Sequence, residues 1–502
     1  MNSIVHNAGT LHPATNPADR ELIDFPSRLW INGRWVDAES GKTFAVENPA
    51  NGQIVGNAPF AAAPETTAAV EAAVEAMNGW RRKSPIERAG YLTRIHDLLM
   101  EYRESLALLR MREQGGTLEG CRAAVDYAAG FFKWFAEEAP RIYGRTIPHP
   151  DPARRVRIEY YPIGVVGALG PWNGPLSSVS KKLAAALAAG CTFVFKPATL
   201  TPLSAFALAW ITDQAGLPPG VFNVVSGDTK AIGQVLLNHE KVRLIAMTGS
   251  TEVGQYVAHE AGKQIKRLAL ELGGNAPFII CADADLDQAA EDLVWLKTIY
   301  SGQVCVTANR LLVERSIYEP FVERICTLLA KHKVGMPDDP QTTIGPMICP
   351  DEVTRIKNLV DESLAAGAII RFQLPMPVDI PADRFYPPTI LDNVRPNMRI
   401  CNEEIFGPVL PVLPFDNDAE VIRHECDENT TYGLAAYVYT QSMSRAQLYA
   451  DELDVGILGI NDPRPITPAT PFGGTKLSGI GREGGSEGIM EYLEARLIGM
   501  RF

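Results

Sequence analysis

Apolar residues recur at helical spacing in two early segments of the chain. Val70, Val74 and Met77 line one face between Pro64 and Trp80, and Leu92, Ile95 and Leu99 line one face between Ile86 and Met100. Each pattern predicts an amphipathic helix packed on something larger. From Ile163 to Leu270 the rhythm changes to short β-rich runs separated by helical stretches. Gly164–Leu169 leads through Gly170-Pro171 to a helix near Ser177–Ala189, and Thr192–Lys196 leads to one from Leu203 to Ala215. Val221–Val225 and Leu244–Met247 are each followed by a glycine turn and a helix, and Arg267–Leu270 ends the series. Five strands alternating with helices predict a parallel, doubly wound sheet, because each parallel strand needs a crossover to return. Ligands of such sheets lie at the carboxyl ends of the strands. After Asn275, Asp283-Ala-Asp-Leu-Asp287 opens a second αβ region that runs to about residue 475. The strand-like Arg155–Tyr161 and the tail from Gly484 to Phe502 belong to neither unit.

Composition narrows the possibilities. At 502 residues the chain exceeds what one core organises, so two or three domains are expected. A net charge of −12 without a basic patch argues against nucleic acid as a partner. Residues 1–26 lack the apolar core of a secretory signal and are expected to form a loose arm, and no apolar run reaches the length of a membrane span. The eight cysteines, at 121, 191, 281, 305, 326, 349, 401 and 426, form no CxxC pair and no metal-spaced cluster. They are expected to be reduced thiols of a cytoplasmic protein, with no metal.

Three segments carry candidate chemistry. Gln303-Val-Cys305 follows a helical stretch broken by Gly302, which sets the thiol in a tight turn; in isolation, any one of eight cysteines is more readily a buried apolar residue. Glu271 stands at the end of a predicted strand, directly before Gly273-Gly274, where backbone can pass close to a ligand. Asn173, in Pro171-Trp-Asn173, ends another strand of the same sheet and faces the same crevice.

With these segments, Phe195-Lys-Pro197, Thr248-Gly-Ser-Thr-Glu-Val-Gly254, Glu404-Ile-Phe-Gly-Pro408 and Pro471-Phe-Gly-Gly474 occur in an order that resembles the aldehyde dehydrogenase superfamily from about Leu29 to the C-terminus. The resemblance implies an NAD- or NADP-dependent oxidation of an aldehyde to a carboxylic acid. Cys305 would be the nucleophile, the Asn173 amide and the Cys305 N–H would hold the oxyanion, and Glu271 would activate the water that hydrolyses the thioester. Presence of Glu271 argues against acyl transfer to coenzyme A, and retention of all three residues argues against a non-catalytic relative. An esterase activity without cofactor is at most a side reaction.

For the cofactor the resemblance implies Trp172, Lys196, Gly249, Ser250, Gly254, Gly273, Glu404 and Phe406. Thr199 stands where an acidic residue commonly grips the ribose diol, so NADP is admissible beside NAD. For the substrate it implies a pocket made roomier by Gly174 and walled by Phe472 and Tyr300. Lys181 lies eight residues after Asn173, where succinic semialdehyde dehydrogenases hold a carboxylate-binding arginine; Gly481-Arg-Glu-Gly484 and Glu491-Tyr-Leu-Glu494 share that resemblance. Lys181 and Arg464 are therefore expected to bind a substrate carboxylate. The alternatives are that Lys181 belongs to a solvated face, that Arg464 is a surface loop residue, and that the substrate is a neutral aromatic or aliphatic aldehyde.

The expected fold is α/β. A doubly wound parallel-sheet dinucleotide-binding domain would comprise residues 27–150 and 163–274, and a second α/β catalytic domain residues 275–475. A small β extension for oligomerisation would comprise 151–162 and 484–502. The apolar tail Leu497-Ile-Gly-Met-Arg-Phe502 needs cover, which implies a homodimer or homotetramer.

Overall fold

The β-rich runs between Ile163 and Leu270 become strands buried on both faces, as parallel strands covered by helices must be. The computed structural model describes residues 24–425 and 430–502, so residues 1–23 of the expected arm and Cys426 lie outside the described residues. Strands Phe222–Val224, Thr192–Lys196, Val165–Leu169, Val242–Thr248 and Arg267–Glu271 lie side by side in that order, all parallel. Leu29–Ile31 and Arg34–Val36 extend one edge antiparallel, and Gly479–Ile480 closes the other. The chain builds outward from Val165–Leu169 in one direction, then returns to place Val242–Thr248 on its other side. That reversal is the switch point at which doubly wound sheets open a crevice.

A second sheet has the order Ile369–Gln373, Thr389–Asp392, Val409–Phe415, Arg310–Glu314, Pro277–Ile280, Ala435–Tyr439 and Ile457–Ile460, parallel except for its first strand. A third sheet pairs Leu493–Arg501 with Arg154–Pro162 over nine residues and adds Arg145–Ile147, all antiparallel.

Helix Ser177–Ala189 is buried along nearly its whole length, sandwiched between the first sheet and the aromatic face of Leu118–Glu138, where Phe131, Phe132 and Phe135 are at most 1% exposed. A helix covered on all sides shows no amphipathic stripe, so its two lysines are drawn inside the protein.

Candidate active site

The turn that carries the thiol is backbone-strained. Tyr300, Ser301 and Gly302 follow one another at φ of 45°, 56° and 74°, a left-handed run that non-glycine residues seldom adopt. At Gly302 a Cβ would strike the carbonyl of Gly407, so only glycine fits there. Cys305 emerges from this turn where two cavities meet. One, about 460 Å³, opens at the switch point among Leu169–Asn173, Lys196, Thr248–Ser250, Glu404 and Phe406. The other, about 470 Å³, runs among Tyr127, Gly174, Lys181, Tyr300, Arg464 and Phe472. Asn173, Glu271 and Cys305 border both.

The Cys305 thiol and the Glu271 carboxylate share the junction of the two cavities, close enough for each to act on the other's ionisation. Burial pushes the thiol well above its ordinary pKa, and the adjacent Glu271 charge adds to the shift. Burial also raises the Glu271 carboxyl, with Glu483 adding and Lys181 opposing. Glu271 Oε1 is buried and has no hydrogen-bond partner among the described residues. The Asn173 side-chain amide donates to the Gln303 carbonyl at 3.1 Å, beside the thiol turn, while the backbone carbonyl of Asn173 accepts from Gln114 Nε2 and, at 3.4 Å, from Arg110 Nη2.

The structure surrounds these groups with an ion cluster that motif reading did not assemble. Lys182 Nζ reaches Glu483 Oε1 at 2.5 Å, Thr248 Oγ1 at 2.5 Å and Ser178 Oγ at 3.2 Å. Lys181 Nζ lies 3.7 Å from Glu483 Oε2 and 3.7 Å from the Phe472 ring centroid, with Tyr127 and Phe131 just beyond. At 9% exposure Lys181 is not on a solvated face. Burial opposes its charge, but Tyr127, Glu483, Glu271 and Cys305 outweigh burial and raise its pKa. Glu483 sits in the Gly481-Arg-Glu-Gly484 motif, which was the only sequence signal for it. Arg464 is exposed at the cavity mouth, its guanidinium 3.8 Å from the Trp295 ring centroid. At Gly174 an added Cβ would press on Ser177 Oγ at 3.1 Å, so glycine leaves that wall open.

The first cavity has the donor set of a dinucleotide site. Helix Thr251–Gly262 starts at its rim, and Ser250 Oγ caps the helix by accepting from Val253 N at 3.4 Å, so the free N–H groups and the positive end of the helix face the cavity. Lys196 ends its strand there with its pKa pulled down to about 8 by burial, Asp228 opposing. Glu404 accepts from Gly274 N at 2.9 Å, and burial raises its carboxyl to about 8. At Gly273 a Cβ would come within 2.8 Å of Glu404 Oε2, so the bare backbone keeps that wall clear. Phe406, at φ 48°, sets its ring edge-on to Trp172 with centroids 5.2 Å apart. Thr199 is exposed beside this cavity, its Oγ1 3.5 Å from that of Thr229, a lining residue. Gly254 is placed differently from the sequence expectation. It faces Leu272, where it allows helix Thr251–Gly262 to lie close on the sheet, and does not line the cavity.

The sequence profile of the aldehyde dehydrogenase family matches residues 35–498. The chain belongs to the aldehyde dehydrogenase family. It is 41% identical over 474 residues to the glutarate-semialdehyde dehydrogenase of Pseudomonas putida, covering 94% of this chain and 98% of that one. To the NADP(+) succinate-semialdehyde dehydrogenase of Escherichia coli it is 43% identical, with the same coverage. The crystal structure of an E. coli NADP-dependent enzyme matches at a TM-score of 0.93 and 42% identity, over 96% of this chain and all of that one. As a member of the family, this aldehyde dehydrogenase is an oxidoreductase that converts an aldehyde to a carboxylic acid with NAD or NADP. Among the described residues, no helix is long and apolar enough to cross a membrane.

Proposed function

We propose that this enzyme oxidises an aldehyde carrying an acidic group remote from its carbonyl, through a thiohemiacetal and then a thioester on Cys305. The observation that carries the chemistry is a thiol and a buried carboxylate set side by side where the two cavities join. Glu271 takes the thiol proton and the thiolate adds to the aldehyde carbon. The oxyanion that forms takes the Asn173 amide, now given to Gln303, and such a donor is worth ~3–4 kcal/mol of barrier. A dinucleotide held by Lys196, Gly249, Ser250, Trp172, Gly273, Glu404 and Phe406 supplies the hydride acceptor. Once Glu271 has released the thiol proton to solvent, the carboxylate, with Oε1 free for a water, accepts the proton of the water that hydrolyses the thioester. Lys182 and Glu483 hold a polar path beside it.

The acidic substrate is supported by the cations around the second cavity, Lys181 within and Arg464 at its mouth, and by the semialdehyde dehydrogenases among the relatives. Against it, Lys181 is already matched by Glu483, and Tyr127, Ile299, Ile466 and Phe472 make apolar walls, which favours neutral aromatic or aliphatic aldehydes as the second reading. NADP use is supported by Thr199, which presents no charge against a 2′-phosphate. Initial rates on succinic semialdehyde, butanal and benzaldehyde, each with NAD and with NADP, test this. Higher kcat/KM for the neutral aldehydes would contradict the acidic substrate.

We also propose a homodimer or homotetramer in the cytoplasm. Leu493–Arg501 is a nine-residue edge strand with Leu497 67% exposed and Phe502, just past its end, 83% exposed, a template for pairing with another subunit. The seven described cysteines are free thiols, which fits a reducing compartment.

A further inference from the structure

Three guanidinium or ammonium groups border the substrate cavity, and they differ in what already neutralises them. Lys181 has Glu483 and an aromatic cage. Arg464 lies on Trp295 in contact with solvent. Arg110, on helix Arg103–Gln114, has neither. It is 9% exposed, it lines the cavity, and its Nε and Nη1 are buried with no hydrogen-bond partner among the described residues. Nη2 touches only the Asn173 carbonyl, at the long distance of 3.4 Å. Among the described residues no carboxylate forms a salt bridge with it. Glu113 is near enough to feel its charge but is turned away, accepting from Leu203 N and Ser204 N at 2.8 Å each and from Ser204 Oγ. Burial pushes the Glu113 carboxyl up to about 7, which weakens it further as a counter-charge.

An arginine cannot relieve such a position by losing its proton, and a buried charge without a partner is strongly unfavourable. Each edge of the guanidinium that matches a carboxylate pairs one of the free donors with Nη2, which is held only by the long contact to Asn173. Gly116, beside it on the cavity wall, has no side chain to fill the space, and an added Cβ there would meet Cys121 Sγ at 3.1 Å and Gln114 Oε1 at 3.2 Å. We infer that Arg110 is the anion subsite of the substrate cavity, holding the remote carboxylate of the aldehyde while Cys305 takes its carbonyl. This rests on the acidic-substrate reading above, and assigns the anchoring role to Arg110 in place of Lys181.

The test compares wild type with Arg110→Met and Arg110→Lys in three measurements. First, the ratio of kcat/KM for succinic semialdehyde to that for butanal should fall by about thirtyfold or more in Arg110→Met, the loss expected when one partner of a desolvated ion pair is removed, and by less in Arg110→Lys. Second, succinate should inhibit butanal oxidation competitively in wild type and far more weakly in Arg110→Met, while butyramide should act on both alike. Third, succinate should raise the thermal midpoint of wild type and not that of Arg110→Met. The variant's own midpoint should be at or above that of wild type, because an unmatched buried charge has been removed. An unchanged selectivity ratio with unchanged succinate inhibition would overturn the inference, leaving Arg110 as a support for Asn173. A wild type that prefers butanal, yet loses succinate inhibition in Arg110→Met, would instead overturn the substrate reading and leave the anion subsite standing.

Discussion

Replacing Glu271 by Gln keeps the size of the side chain and removes its basicity, which separates two tasks that the geometry gives to one carboxylate. The carboxylate stands beside the thiol, and its Oε1, without a hydrogen-bond partner among the described residues, is available to a water. Hydrolysis of the thioester loses its base, so steady-state turnover should drop by roughly 10²–10⁴, the range a positioned general base contributes. Thiolate formation loses its acceptor too, but the negative charge that raised the thiol pKa also disappears. The first turnover should therefore slow without vanishing, and should quicken as pH rises and the thiol ionises unaided. Stopped-flow absorbance of the reduced cofactor should show a full burst followed by near arrest. In wild type the active form is the deprotonated carboxylate, and its pKa is raised. The acid limb of kcat/KM should accordingly lie above the ~4.3 of an ordinary glutamate, with activity gained as pH increases through it. A variant that turns over at the wild-type rate, or one with no burst even at alkaline pH, would refute the division of labour assigned to Glu271.

Three further outcomes follow from the same geometry. Thr199→Glu should shift the kcat/KM ratio toward NAD by about fivefold, the ~1 kcal/mol of a solvent-exposed charge pair near 4 Å; no shift would place position 199 away from the ribose. Lys181→Met should lower activity on succinic semialdehyde and on butanal alike and move the acid limb of kcat/KM to higher pH, because Lys181 offsets Glu483 beside Glu271. A loss confined to the acidic aldehyde would restore Lys181 as the carboxylate anchor. Deletion of residues 491–502 removes the edge strand and should yield smaller species on gel filtration; an unchanged, active oligomer would show the tail to be dispensable.

The parallel strands that frame the crevice were legible because each is a short apolar run closed by a glycine or proline turn, as in Val165–Leu169 before Gly170-Pro171. The flanking strands were not. Leu29–Ile31 and Gly479–Ile480 are three and two residues long, too short for a period, and the parallel strands they join lie about two hundred residues away along the chain. Cys305, Glu271 and Asn173 were legible from strand ends and motif order, and the fold brings them together. The charge balance around them was not, since it depends on burial that no local pattern reports. Lys181 was expected to bind a substrate carboxylate, with a solvated face as the alternative; the helix that carries it and Lys182 is covered, and Glu483 from three hundred residues on lies between their ammonium groups. Arg110 lies in no motif, and only the packing shows that among the described residues no carboxylate forms a salt bridge with it. Gly254 followed the family motif yet serves helix–sheet packing.

Covalent chemistry at Cys305 is tested most directly by trapping. The Glu271→Gln variant is mixed with succinic semialdehyde and NADP, quenched in acid within the burst, and digested for peptide mass spectrometry. The peptide containing Cys305 should carry the mass of the acyl group, and Cys305→Ala in the same background should carry none and release no reduced cofactor. An acyl group found on another thiol such as Cys121 or Cys349, or reduced cofactor formed without any acyl-cysteine, would contradict the thioester at Cys305.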